Sequence, residues 1–235
     1  KLTAEDAAAS DHFGYSVAID GNTIVVGARG DDDAGSNSGS AYVFRTTDGG
    51  ATYTQVAKLT ADDGAAYDNF GGRVAIDAGT VVVGARYDDD GGSNKGSVYV
   101  FLTTDGITYN QLAKLKTADA AADNFGRAVA INGGLVAIGA GTYGTGGAVY
   151  LFRTSDGATY DEVAKLTSAD IATEDNFGIS VAIDGDTIVI GAYWDDDGGD
   201  KSGSVYVFED ESGWWDYFSS DAATRALPSA AILLA

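Results

Sequence analysis

Short apolar runs separated by tight turns recur along the chain in a fixed order. Val17–Ile19 and Ile24–Ala28 are apolar and largely β-branched, with no polar alternation. Gly21-Asn22 between them is a two-residue turn signal, so the pair reads as a β-hairpin. A strand that is apolar on both faces needs cover on both faces. A third run carries Tyr42, Val43 and Phe44, "TTDGG" (46–50) turns the chain, and a fourth, more polar run holds Thr54, Gln55 and Lys58. The gradient runs from apolar inner strands to a mixed outer one.

The whole pattern then repeats. "HFGYSVAIDGNTIVVGA" (12–28), "NFGGRVAIDAGTVVVGA" (69–85), "NFGRAVAINGGLVAIGA" (124–140) and "NFGISVAIDGDTIVIGA" (176–192) are one motif. Its Phe-Gly pairs start at 13, 70, 125 and 177, a spacing of 57, 55 and 52 residues. Behind each comes an aromatic strand: "GSAYVF" (39–44), "GSVYVF" (96–101), "GAVYLF" (147–152) and "GSVYVF" (203–208). Behind the first three comes "TYTQVAKL" (52–59), "TYNQLAKL" (108–115) or "TYDEVAKL" (159–166). Units that cannot hide their apolar faces alone must stack. The expected fold is all-β, a β-propeller of four-stranded antiparallel blades packed face to face over residues 1–211. A sandwich would show stricter apolar–polar alternation. Residues 212–235 form a non-repeat aromatic and apolar tail.

These motifs resemble FG-GAP repeats, the blades of the integrin α-subunit propeller. The resemblance covers about residues 1–210 and implies an extracellular, cell-surface or lumenal propeller that binds a partner without catalysis. Two departures stand out. The Pro of Gly-Ala-Pro is replaced by Arg29, Arg86, Gly141 and Tyr193. The acidic calcium loop that integrin-type blades carry between the paired motifs is here only a tight turn, so that site does not transfer.

The chain opens on "KLTAEDAAASDHFG", which matches "KLTADDGAAYDNFG" at 58–71, and so starts inside a fourth strand. The last repeat lacks its "VAKL" strand. Lys1-Leu2-Thr3 in that place would close a four-bladed ring within the chain. The alternatives are part of a larger propeller, or completion by "WWDYF" (214–218).

Charge narrows the partners. The formal net charge of −21 repels nucleic acid and anionic headgroups and attracts cations and basic surfaces. The chain has no cysteine, which excludes thiolate chemistry, and one histidine, His12, which stands in the Asn slot of the "DNFG" motif and reads as structural. No apolar run is long enough for a membrane span. The many carboxylates sit in repeated loops that single out no acid–base pair, so no enzyme activity is expected.

The acidic loops between second and third strands are the candidate sites. Asp31, Asp33 and Asn37 place oxygens at alternate positions; Asp88, Asp90 and Asn94 repeat them, and Asp195 and Asp197 follow more loosely. Such spacing suits calcium. Arg29-Gly30-Asp31 is a candidate adhesion triplet. Tyr87, Tyr143 and Trp194 follow Gly-Ala in three repeats and form the candidate platform for a glycan; the alternative to a protein-binding module is thus a lectin-like propeller, or an accessory domain of a larger enzyme. The 214–235 tail is a candidate docking segment.

Overall fold

A computed structural model describes residues 1–90, 92–119, 123–141 and 146–210. Among these residues fifteen strands form four antiparallel sheets. Blade one is β1 (Phe13–Asp20), β2 (Thr23–Ala28), β3 (Ser40–Arg45) and β4 (Thr54–Leu59). Blade two is β5 (Arg73–Asp77), β6 (Thr80–Ala85), β7 (Ser97–Leu102) and β8 (Asn110–Leu115). Blade three is β9 (Phe125–Asn132), β10 (Leu135–Ala140), β11 (Ala148–Arg153) and β12 (Asp161–Leu166). Blade four holds β13 (Phe177–Asp184), β14 (Thr187–Ala192) and β15 (Ser204–Glu209). Within every sheet the strands lie in chain order, as a meander.

Registers repeat with the sequence. Val17 faces Val26 across the first hairpin, Val74 faces Val83, Val129 faces Ile138 and Val181 faces Ile190. Adjacent valines then point to opposite faces. Val25, with Ala41 and Val43, points toward blade two, where it meets Val74, Val83 and Tyr99 in one core. Val82, Val98 and Val100 meet Phe125 and Ile138 of blade three in the next. Ala137, Val149 and Leu151 meet Phe177 and Ile190 of blade four in the third. The unbroken apolar runs therefore have their reason: each central strand serves two cores.

The Phe-Gly pair is the joint between blades. Phe70, Phe125 and Phe177 are fully buried, and each lies tilted or edge-on to a Tyr and a Phe of its own third strand, at centroid distances from 5.2 to 6.2 Å. The preceding His12, Asn69, Asn124 and Asn176 all take positive φ, from 54° to 58°, a conformation Asn tolerates better than most residues. The Asp before them caps its loop: Asp11 accepts from the Ala8 amide and Asp68 from the Ala65 amide, at 2.6 and 2.8 Å. The following Gly brings two backbones together. A Cβ on Gly27, Gly84 or Gly139 would lie 2.0, 2.3 or 2.0 Å from the carbonyl oxygen of Gly71, Gly126 or Gly178 in the next blade. Gly84→Ala is therefore expected to push blades two and three apart at a cost of about 2 kcal/mol. Gly191→Ala, whose Cβ would meet only side-chain atoms of its own blade, should cost less. Urea midpoints of the two variants check this.

The expected ring does not close among the described residues. Blade four has three strands, and Lys1-Leu2-Thr3 does not pair with β15. Leu2 instead packs with Ala4 against Val26, Tyr42 and Phe44 of blade one. Among the described residues the four blades form an arc, a partial propeller, with both end faces uncovered. The tail from residue 211 onward, with its docking and strand-completing calls, lies outside the described residues.

Candidate functional site

The acidic loops fold back over their own blades and converge on a lysine from the fourth strand. In blade one Lys58 Nζ lies 2.6 Å from Asp6 and 3.1 Å from Asp31, and it also pairs with Asp33. In blade two Lys114 Nζ lies 2.7 Å from Asp63, 2.9 Å from Asp88 and 2.6 Å from Asp90. A buried tyrosine completes each cluster: the Tyr42 hydroxyl donates to Asp31 at 2.7 Å, and the Tyr99 hydroxyl donates to Asp88 at 2.6 Å. Each lysine also lies about its tyrosine ring, at 5.3 and 5.1 Å from the centroid. Blade three has a reduced version, with Lys165 on Asp119 at 2.5 Å and Tyr150 donating to the same carboxylate at 2.8 Å.

Blade four differs. Tyr206 donates to Asp195 at 2.6 Å and to Asp170 at 3.3 Å, and Asp197 stands beside them. The position of Lys58, Lys114 and Lys165 belongs to a fourth strand, and among the described residues blade four has none. Among the described residues no ion pair joins these three aspartates to a lysine or arginine. The neighbouring Asp195 carboxylate, with some desolvation, pushes the Asp197 carboxyl up.

The other clusters are electrostatically settled. The Lys58 contact holds Asp6 below the usual carboxylate range. Burial works against ionisation of Asp31, yet the Tyr42 hydroxyl and Lys58 together bring its carboxyl below that range. For Asp90 the Lys114 contact dominates and again lowers it. Lys58 and Lys114 move the other way: desolvation opposes the charge, and their carboxylate partners outweigh it. Depressed carboxyl values add stability that is full above the unfolded-state value, near 3.9, and is lost as pH falls through the folded-state values. Thermal stability should therefore drop below about pH 4. The Asp31→Asn variant should show a shallower acid limb in melting scans across that range.

The calcium expectation meets a different cation. Asp31 and Asp33 do converge, as do Asp88 and Asp90, but around an ammonium. Asp6, Asp31 and Asp33 offer oxygens within 4.8 Å of one another. The Asn37 and Asn94 side-chain amides donate to Ser36 and Ser93 instead, both at 3.2 Å, while their backbone amides donate to Asp32 and Asp89, both at 2.7 Å, and each residue takes positive φ in the loop. As they stand, the carboxylates of blades one and two surround a lysine ammonium. Asp6, Asp63 and Lys58, Lys114 were missed in the sequence reading. Their signal is there: a lysine of "AKL" followed five residues later by an aspartate, at 58 and 63, 114 and 119, 165 and 170.

The Arg29-Gly30-Asp31 candidate adhesion triplet lies in a packed turn. Gly30 is buried with its amide donating to the Asp11 carbonyl at 3.0 Å, and Asp31 is 4% exposed. Arg29 stacks 3.9 Å over the Tyr15 ring. A carboxylate held by Tyr42 and Lys58 is not presented to a receptor. Tyr87 and Trp194 occupy matching places, each donating its amide to the Asp of its own "DNFG" at 3.3 and 3.2 Å. They belong to blades two and four. Tyr87 lies against Arg86, and Trp194 between Tyr193 and Lys201. Tyr143 lies outside the described residues.

Known proteins place the chain as follows. The model of the FG-GAP repeat matches residues 1–44, 53–101, 109–152 and 160–208. No curated protein matches in sequence. Among solved structures, the arrangement is similar to the crystal structure of Saccharomyces cerevisiae Sqt1, with a TM-score of 0.50 at 9% identity over 86% of this chain and 46% of that one. The chain thus spans less than half the length of that protein, and the likeness is one of fold.

Proposed function

We propose, for a chain that belongs to the FG-GAP repeat family, a non-catalytic β-propeller module that binds protein partners at the cell surface or in an extracellular or lumenal space. One observation carries the reading. The charged groups of the best-formed site are used up in holding loops to blades, which leaves the loop tips as the presented chemistry. Asp32, Asp89 and Asp196 stand exposed at equivalent tips, and each accepts a backbone amide of its own loop, at 2.7, 2.7 and 2.6 Å. A rigid scaffold that repeats one acidic tip in blades one, two and four suits a basic protein surface, and function on repeat scaffolds sits in such loops. Calcium has no part in blades one and two under this reading.

Calorimetric titration with poly-lysine tests the tips. Binding should weaken with salt and fall at least several-fold in the Asp32→Asn, Asp89→Asn, Asp196→Asn triple variant. Equal loss on neutralising three exposed acids elsewhere would count against it. The lectin-like reading rests on the Tyr193–Trp194 ring pair, 4.9 Å between centroids, with Tyr193 exposed and Trp194 half-buried. Glycan-array binding abolished by Trp194→Ala would favour it.

A further inference from the structure

The two open ends of the arc are complementary halves of one joint. At the first end, Val17 and Ile19 of β1 are 67% and 65% exposed. Their equivalents Val74 and Ile76, Val129 and Ile131, and Val181 and Ile183 all pack into the core shared with the preceding blade. At the other end, Val205 of β15 is 67% exposed, whereas Ala41, Val98 and Val149 at the same place are fully covered by the following blade. The glycines agree. Gly71, Gly126 and Gly178 each press on a carbonyl of the blade before, while a Cβ on Gly14 would meet nothing within 4 Å. Gly39, Gly96 and Gly147 each press on the Phe of the next Phe-Gly pair, while Gly203 meets only Tyr193 of its own blade.

The strand count carries the same message. Blade four presents the open edge of β15 and three aspartates beside Tyr206 with no lysine among the described residues. Residues 1–6 read "KLTAED", the sequence that elsewhere ends a fourth strand and supplies the lysine. Leu2 and Ala4 already sit on blade one in the way Leu59 and Ala61 sit on blade two. Lys1 is therefore placed as the last lysine of a blade that would precede blade one.

We propose that a second copy of this chain docks head to tail, its blade one on the open face of blade four, with its Lys1-Leu2-Thr3 pairing along β15 and Lys1 entering the Asp170–Asp195–Asp197 cluster. The occupant follows from continuity: three joints of this kind already exist inside the chain, and the copy brings both the matching face and the absent lysine. The joint is heterologous, so two copies either close through two such joints into an eight-bladed ring or continue as an array. Exposed apolar faces of this size are otherwise a liability.

Light scattering on the eluting protein tests this. The wild type should run at twice the monomer mass or more. Val205→Lys and Val17→Lys should each run as monomers with unchanged circular dichroism; lysine lowers the net charge, so general repulsion would not explain the loss. Ile107→Lys, at a position 56% exposed on the β7–β8 loop of blade two, should leave the oligomer intact. An equimolar mixture of the Val205→Lys and Val17→Lys proteins keeps one good joint and should recover a dimer, which an isologous contact would not. Lys1→Ala should weaken association roughly tenfold. A monomeric wild type at every concentration, as when the faces are covered by further repeats of a longer polypeptide, overturns the proposal. So does a dimer indifferent to Val205→Lys.

Discussion

Replacing Phe125 with alanine is expected to lower stability by about 4 kcal/mol, in the range typical of removing a fully buried aromatic ring. Phe125 plugs the central joint. It lies 5.7 Å from Tyr150 and 5.8 Å from Phe152, and it shares a core with Val82, Val98 and Val100 of blade two. Collapse into the void is opposed by backbone contact on either side: Gly96 and Gly84 already touch Phe125 and Gly126. In a stacked-repeat fold, stability is a sum of unit terms and neighbour terms, so weakening the middle neighbour term also uncouples the halves. Calorimetry should then resolve two transitions where the wild type shows one. A loss below about 1 kcal/mol would mean that the ring does not fill a packed seam.

Lys58→Met should cost about 2–3 kcal/mol and change what the protein binds. Asp31 is almost wholly buried, and Lys58 is its counter-charge along with that of Asp6 and Asp33. Removing one partner of a buried ionic cluster strands the others, at about 3–5 kcal/mol when fully buried. Half of the Asp6 and Asp33 side-chain surface is in water, which brings the figure down. Without the ammonium, three carboxylates remain within 4.8 Å of each other, a group suited to a hard divalent ion. Millimolar calcium should therefore raise the melting temperature of Lys58→Met by several degrees and leave that of the wild type nearly unchanged. An equal calcium response in both proteins would show that the lysine is not the resident cation of this cluster.

Much of the fold was legible before any coordinates. Strand positions, the hairpin turns and the four blades follow from local patterning that repeats four times, and repetition averages out the ambiguity of any one short apolar run. The site was less so. The acidic runs announced carboxylates at alternate positions, and from spacing alone a calcium loop was a fair expectation. What the spacing omitted was Lys58 and Asp6, which lie 25 residues after and before Asp33 or more. The Arg29-Gly30-Asp31 triplet misled for the same reason: exposure is not written in three residues.

The sequence by itself thus determined the unit: four strands, graded from apolar to mixed, with a Phe-Gly joint at a spacing of 52 to 57 residues. Short-range physics sets those features, since strand period and turn geometry depend on neighbours along the chain. Only the tertiary structure placed a fourth-strand lysine among the aspartates and ended the arc of described residues on two uncovered faces. Both depend on contacts between residues from different strands and different blades, and on how far the stack has turned, neither of which any local window of sequence contains.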